Sequence, residues 1–192
     1  MSDLLLWKQL KSGDKKALER IYLQEINFLL AYGKKLSKDE HLAADCVQDL
    51  FVELWRNRAG LGNTDSIRRY LLVSLRRKII RNLQKSQKVQ ANTTPEDAHF
   101  AAELAIDTQL IAAEISAEQA IQLKKAFAEL SNRQQEAIYL KYYTGMDYKE
   151  IAEVMDINYQ SVRNLIFNAL NVLRNLLGLL IFAFRFIFLD KF

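Results

Sequence analysis

The sequence of 192 residues contains one cysteine, one proline and six glycines, and each shortage excludes a class of protein. A lone Cys46 cannot form a disulfide within the chain, which excludes the disulfide-rich secreted domains. So few prolines and glycines exclude a β-rich fold with many turns, whereas long runs of Ala, Leu, Lys, Glu and Gln favour helices. We therefore expect an all-α fold.

The sequence also lacks the residue groups that catalytic and metal sites need. His41 and His99 are isolated, no glycine-rich phosphate loop is present, and Cys46 falls within an apolar stripe at helical spacing. We expect no enzyme, no catalytic residues, no metal and no cofactor. Since no secretory leader opens the sequence, we expect a reducing cytoplasm as its compartment.

Charge is distributed unevenly along the chain, although the net charge is only +4. Residues 66–90 contain eight Lys or Arg and no acid, whereas residues 91–120 contain six Asp or Glu and no Lys or Arg. A basic block followed by an acidic block indicates a nucleic-acid surface and a separate connecting segment.

Residues 147–174 have the pattern of two helices joined by a tight turn. Asp147 and Glu150 form a capping box, Asp156 tolerates the left-handed turn, and Asn158 caps the second helix. The inner faces are predicted to be Ile151, Ala152 and Met155, then Val162, Leu165, Ile166, Ala169, Leu173 and Leu176. The outward face is predicted to be Gln160, Arg163, Asn164, Phe167, Asn171 and Arg174. This pattern predicts a DNA-reading helix-turn-helix, and the alternative is a helical hairpin within a bundle.

Further helices are predicted over residues 14–33, 38–58, 66–85 and 132–143, the first capped by Asp14 and ending at Gly33. A capping box that begins at Ser116 opens a second domain. The predicted organisation is a helical domain 1–88, a linker 89–115, a helix-turn-helix domain 116–177 and an apolar tail 178–192.

The helix over residues 66–85 combines an apolar stripe with a cationic side. The stripe is Leu72, Leu75, Ile79 and Leu83, and the opposite side carries Tyr70, Ser74, Arg77, Lys78, Arg81 and Lys85. No acid on the helix offers i,i+4 pairing, so we expect these cations to repel one another unless they hold phosphates. The pairing with an aromatic residue favours single-stranded nucleic acid, and the alternative is a solvated charged face.

Three segments together resemble the extracytoplasmic-function class of bacterial RNA polymerase sigma factors. DCVQDLFVELWR at 45–56 is similar to the family segment that docks on the largest polymerase subunit. Residues 66–85 resemble the segment that melts the downstream promoter element. Residues 130–170 resemble the region that reads the upstream element and contacts the polymerase flap.

The resemblance implies a sigma subunit whose partners are bacterial core RNA polymerase and promoter DNA, double-stranded upstream and single-stranded downstream. An anti-sigma factor is a further candidate partner, and no transmembrane span is expected. The implied polymerase-binding residues are Asp45, Gln48, Asp49, Phe51 and Trp55. The implied downstream and melting residues are Arg68, Arg69, Tyr70, Ser74, Arg77, Lys78 and Arg81. The implied upstream-reading residues are Tyr159, Gln160, Ser161, Arg163, Asn164 and Phe167.

The chain departs from the family pattern at several positions that bear on promoter sequence. Tyr70 stands where many members have tryptophan, Arg77 where asparagine is frequent and Asn168 where arginine is frequent. Phe167 replaces a commonly polar residue, and Asp156 replaces the usual turn glycine. The acidic connector suits a basic path through polymerase, and a plain solvated linker is the alternative.

Two other functions compete with the sigma factor. One is a free-standing helix-turn-helix regulator, and the other is a helical adaptor without a nucleic-acid role. The apolar tail is too short to span a bilayer, so it predicts burial against this chain or a partner, with membrane-surface attachment as the alternative.

Overall fold

The computed structural model describes residues 2–88 and 117–177, and the chain divides into two compact units. We call the described residues of each the first unit and the second unit. The predicted linker, Ser116 and the predicted tail lie outside the described residues.

The described secondary structure is helical throughout, as the composition predicts. The first unit consists of α1 (Asp3–Lys11), α2 (Lys15–Ser37), α3 (Glu40–Arg56), a 3-10 turn (Arg58–Gly60) and α4 (Ile67–Lys88). The second unit consists of α5 (Ala117–Ala128), α6 (Asn132–Ile138), a π-helical segment (Tyr139–Tyr143), α7 (Tyr148–Met155) and α8 (Tyr159–Leu177).

Helix α2 begins where the sequence predicts but does not end at Gly33. The Asp14 carboxylate accepts a hydrogen bond from the Lys16 backbone N–H at 2.8 Å, and the helix ends where Lys38 turns left-handed at φ 56°. A Cβ placed on Gly33 would lie 3.2 Å from the Ala43 Cβ and 3.4 Å from the Ile79 Cδ1. Gly33 is therefore a site of close helix packing, not a helix stop.

Helix α1 precedes every helix that the sequence pattern predicts. It has only nine residues and its N-cap residue, Ser2, makes no side-chain capping bond. Leu6, Trp7 and Leu10 are buried, so tertiary packing stabilises a helix too short to persist by itself.

The core of the first unit surrounds one stripe of α4. Leu71, Leu72, Leu75 and Ile79 are 0% exposed, and α4 packs against both α2 and α3. Leu83 is only half-buried, so the tight part of the predicted stripe ends one turn earlier. This burial fixes which side of α4 faces away from the core.

The second unit contains the predicted helix-turn-helix. The Asp147 carboxylate accepts from the backbone N–H of Glu150 at 2.8 Å, and the Glu150 carboxylate accepts from the Asp147 N–H at 3.0 Å. Asp156 is left-handed at φ 55°, and the Asn158 side-chain oxygen accepts from the Ser161 N–H at 2.8 Å. All three local predictions are confirmed.

The inner faces differ from the prediction at three positions. Val154 is buried in α7 where Ala152 is half-buried, and Leu165 is half-buried in α8. The other predicted inner residues that the structure describes are buried: Ile151, Met155, Val162, Ile166, Ala169 and Leu173. The side chain of Leu176 lies outside the described residues.

Gly33→Leu tests the helix crossing. The new side chain would overlap Ala43, so we expect the free energy of unfolding to fall by about 1–3 kcal/mol. Urea denaturation followed by circular dichroism measures the change. Gly60→Leu is the control, since a Cβ there meets no atom within 4 Å, and we expect a change within about 0.5 kcal/mol. Equal losses in the two variants would contradict the packing role of Gly33.

Candidate nucleic-acid and protein interfaces

The outward face of α8 is polar near its start and apolar at one position. Tyr159, Gln160, Arg163 and Asn164 are exposed and Ser161 is half-buried. The Gln160 side-chain amide donates to the Asn164 side-chain oxygen at 3.0 Å, so these two groups form a pair on the surface. Phe167 is 65% exposed, two turns from the start of the helix. The face therefore offers hydrogen-bonding groups followed by an apolar ring.

Aromatic residues hold the first turn of α8 against the preceding helix. The Tyr159 ring meets the Tyr148 ring edge-on at a centroid distance of 6.0 Å, and the Lys141 ammonium lies 5.1 Å from the Tyr148 ring centroid. Hydrogen bonds from the Glu150 and Lys149 backbone N–H groups lower the pKa of Asp147, which caps α7. The start of the outward face is thus fixed by the neighbouring helix.

The side chains on the predicted cationic side of α4 differ in exposure. Arg77, Arg81 and Lys85 are exposed, whereas Tyr70 and Ser74 are half-buried. The Lys78 side chain is only 17% exposed and lies against α3, where its ammonium contacts Glu53 at 2.7 Å and Asp49 at 3.9 Å. The helix itself carries no acid, as stated above, but acids of α3 relieve the expected repulsion at Lys78.

Two further cations near the start of α4 are also paired. The Arg68 guanidinium donates to both Glu25 carboxylate oxygens at 2.8 and 3.2 Å and lies 4.6 Å from the Phe28 ring centroid. The hydrogen bond to Glu25 raises the pKa of Arg68. Arg69 pairs with Asp65, four residues earlier and just before the helix. Acids on α2, on α3 and in the preceding loop thus neutralise cations that the α4 sequence alone leaves unpaired.

The predicted polymerase-binding residues lie on α3 with different exposures. Asp45, Gln48 and Asp49 are exposed, and Trp55 is half-buried with the Arg58 guanidinium 4.2 Å from its ring centroid. Phe51 is only 7% exposed. It meets the ring of Tyr22 edge-on at 5.0 Å, so Tyr22 presents the exposed ring at this edge.

Three exposed apolar residues of α2 and α3 are missing from the predicted set. Val52 shares the exposed side of α3 with Asp45, Gln48 and Asp49 because these residues follow an i, i+3, i+4, i+7 spacing. Tyr22 and Leu23 are exposed on α2. Their apolar character alone could not distinguish them from core residues, because that distinction depends on how α2 and α3 pack together.

The His, Cys, Asp and Glu side chains of the described residues form no group of three or more that could hold a metal ion. Burial raises the pKa of the Cys46 thiol, and its sulfur accepts a hydrogen bond from the Asn82 side-chain amide at 3.3 Å. None of the helices in these residues combines the length and hydropathy that crossing a bilayer requires.

Two family models match the chain, one in each unit. Residues 21–89 match sigma-70 region 2, and residues 120–173 match sigma-70 region 4. Similar curated proteins include the ECF RNA polymerase sigma factor SigK of Mycobacterium ulcerans, 22% identical over 174 residues that cover 90% of this chain and 91% of the relative. SigK of Mycobacterium tuberculosis strain H37Ra is 22% identical over 179 residues, covering 92% and 94%.

Two solved structures share the fold. The sigma factor RpoE in complex with the anti-sigma factor NepR from Bartonella quintana has a TM-score of 0.60 and 22% identity, covering 85% of this chain and 98% of that chain. CnrH in complex with the cytosolic domain of CnrY has a TM-score of 0.60 and 20% identity, covering 91% and 96%.

Arg68→Met tests the ion pair between α2 and α4. The Glu25 side chain is 12% exposed, so removal of the guanidinium leaves a largely buried carboxylate without its partner. We expect the free energy of unfolding to fall by about 1–3 kcal/mol, and Glu25→Gln in the same chain should restore part of the loss. Urea denaturation measures both changes. Arg81→Met changes an exposed cation of the same helix, and a loss as large as that of Arg68→Met would contradict the account.

Proposed function

The chain belongs to the sigma-70 family as an RNA polymerase sigma factor of the extracytoplasmic-function type, and we propose that its two units divide promoter recognition between them. Sigma factors are non-catalytic subunits that direct RNA polymerase to promoters. In this proposal the first unit docks on core polymerase and holds the melted downstream strand. The second unit reads the upstream element as duplex DNA.

The main support for the proposal is the orientation of α4 about its own axis, which decides which side chains face away from the core. Leu72, Leu75 and Ile79 of its apolar stripe are buried, so Arg77 and Arg81 lie on the exposed side with the half-buried Tyr70 near the helix start. Exposed cations attract phosphates, and an aromatic ring can stack on an unpaired base. Arg68, Arg69 and Lys78 are committed to acids of this chain, so we assign them mainly to shaping this surface.

Upstream recognition is assigned to the first two turns of α8. Gln160 suits adenine and Arg163 suits guanine in the major groove, each worth about 1–3 kcal/mol of discrimination. Tyr159, Ser161 and Asn164 lie in the same two turns and complete the polar surface. Phe167 supplies an apolar ring that suits the C5 methyl group of thymine.

Polymerase docking is assigned to the exposed side of α3 together with the adjoining edge of α2. Asp45, Gln48 and Asp49 supply the polar contacts, and Val52 and Tyr22 add apolar area that the free chain leaves exposed. Exposed apolar residues rimmed by polar ones are typical of protein-binding surfaces. Phe51 and Trp55 support this surface from the core side, since Phe51 is buried and Trp55 is half-buried.

A free-standing DNA-binding regulator is the alternative, and the charge of α8 argues against it. Arg163 and Arg174 are the only Lys or Arg between Tyr159 and Leu177, which is few for independent affinity to duplex DNA. A sigma factor needs less DNA affinity from α8 itself, because polymerase and the first unit add contacts to the promoter. We therefore favour a chain that acts within the polymerase holoenzyme.

Two further parts of the proposal concern partners and place. Since polymerase and promoters are cytoplasmic in bacteria, we propose that the chain works in the cytoplasm. We also propose an anti-sigma factor as a partner, supported by the complex in which the similar RpoE was solved.

Charge reversal on α4 tests the melting role. We expect Arg77→Glu with Arg81→Glu to abolish most open-complex formation with core polymerase. The slope of log promoter affinity against log salt concentration should become shallower by about 1.4, since each phosphate contact to a single strand contributes about 0.7. Permanganate reactivity of unpaired thymines measures the open complex. Lys15→Glu with Lys16→Glu changes the net charge equally at exposed positions of α2 and should retain activity. Equal losses in both pairs would contradict a specific role for α4.

Replacement of thymine by uracil tests Phe167, because the two bases differ only by the C5 methyl group. Loss of one buried methyl should cost about 0.8 kcal/mol, or about a fourfold loss in promoter affinity of the holoenzyme, at one position of the upstream element. Phe167→Ala should abolish this difference, whereas Asn175→Ala, an exposed change later in α8, should retain it. Equal sensitivity in Phe167→Ala and wild type would reject the methyl contact.

A further inference from the structure

One side of α1 contacts the segment that leads into α4. Asp3, Trp7 and Lys11 are spaced four residues apart and therefore share one side of the helix. The Asp3 carboxylate accepts from the Ile67 backbone N–H at 2.9 Å, the Trp7 indole N–H donates to the Gly62 carbonyl oxygen at 2.8 Å, and the Lys11 ammonium donates to the Asn63 side-chain oxygen at 3.4 Å.

Trp7 also holds the first turn of α4. Its ring meets the Tyr70 ring edge-on at a centroid distance of 4.8 Å, and Trp7 itself is 1% exposed. One side chain therefore joins the backbone of the loop to the aromatic residue of the proposed DNA surface. The Asp3 carboxylate meanwhile satisfies the first N–H of α4, which has no partner within the helix.

The segment 61–66 has weak support of its own. A Cβ built on Gly60 or Gly62 would meet no atom within 4 Å. The local bonds are short-range: the Thr64 hydroxyl donates to the Ser66 carbonyl oxygen at 2.9 Å and accepts from the Ser66 N–H at 3.2 Å. Within the described residues, the long-range hydrogen bonds of this segment come from α1.

We propose that α1 is a brace for promoter opening, in which Trp7 and Asp3 are positioning residues that fix Tyr70 and the start of α4. The inference rests on the proposed role of α4 in holding the melted strand. A side chain that is already fixed loses less entropy when a base stacks on it, so pre-organisation favours the open complex. Because Trp7 is buried, it acts through Tyr70 and Gly62 and not by touching DNA.

Trp7→Phe separates the indole N–H from the bulk of the ring. It removes the bond to Gly62 but leaves an aromatic side chain in the same buried space. We expect the holoenzyme of the full chain to form about two- to tenfold less open complex on a duplex promoter, as one lost hydrogen bond implies. On a template with mismatched, unpaired bases at the downstream element the variant should form as much complex as wild type, because no duplex competes with Tyr70 for those bases and a modest loss in stacking no longer limits the open state. Binding to core polymerase should be unchanged.

Asp3→Ala provides a second variant that leaves no cavity in the core, since the Asp3 side chain is exposed. It removes the bond to Ile67, and we expect about a two- to fivefold loss on duplex templates only. Leu10→Val is the control for stability, because it trims another buried side chain of α1. Tyr70→Ala is the control for the proposed DNA surface, because it removes the aromatic ring on which the base would stack. Each variant is measured at a temperature where its folded fraction equals that of wild type.

The outcomes separate the brace from a purely structural helix. A loss for Trp7→Phe and Asp3→Ala on duplex but not on unpaired templates, without a loss for Leu10→Val, supports the brace. The brace is overturned if Trp7→Phe and Asp3→Ala open promoters as wild type does while Tyr70→Ala does not. It is also overturned if Leu10→Val loses as much as they do. If the wild-type chain itself forms no open complex with core polymerase, the proposed function fails together with the brace.

Discussion

Burial of one stripe of α4 is the constraint on which the first unit depends. Leu71, Leu72, Leu75 and Ile79 are fully enclosed by packing against α2 and α3, so the helix cannot rotate without exposing apolar surface. Gly33 permits this packing, because a side chain there would meet both α3 and α4. The fixed rotation places Lys78 against acids of α3 and places Arg77 and Arg81 on the exposed side, which is the proposed DNA surface.

In the second unit, buried apolar residues fix the orientation of α8 in the same way. Val162, Ile166 and Ala169 are buried, and the left-handed Asp156 sets the turn between α7 and α8. The polar first turns of α8 and Phe167 lie outward as a result. Buried apolar stripes thus orient both proposed DNA-contacting helices, while exposed side chains supply their chemistry. The few cations of α8 fit a helix that selects a site inside a larger complex whose other parts supply most of the affinity.

Features that depend on neighbouring residues in the sequence were predicted correctly more often than features that depend on tertiary packing. The caps at Asp14, Asp147 and Asn158 and the turn at Asp156 depend on neighbouring residues, so the sequence pattern identifies them. Gly33 was misread as a helix stop because the close approach of α3 is a tertiary contact. Helix α1 was not predicted for the same reason, since this short helix depends on burial of Trp7. The pairing of Lys78 with Glu53 joins two helices, so the α4 sequence alone does not predict it. The exposure of Tyr22 and Val52 likewise follows only from how α2 and α3 pack.

We propose above that this chain selects promoters only as part of polymerase. Run-off transcription of a genomic fragment library, with core polymerase from the source bacterium and the full chain, tests it most directly. We expect transcripts that start at a limited set of fragments with a shared upstream element, and only when both proteins are present. The absence of chain-dependent transcripts under all conditions, together with tight binding of the isolated chain to duplex DNA, would contradict it and favour a free-standing regulator.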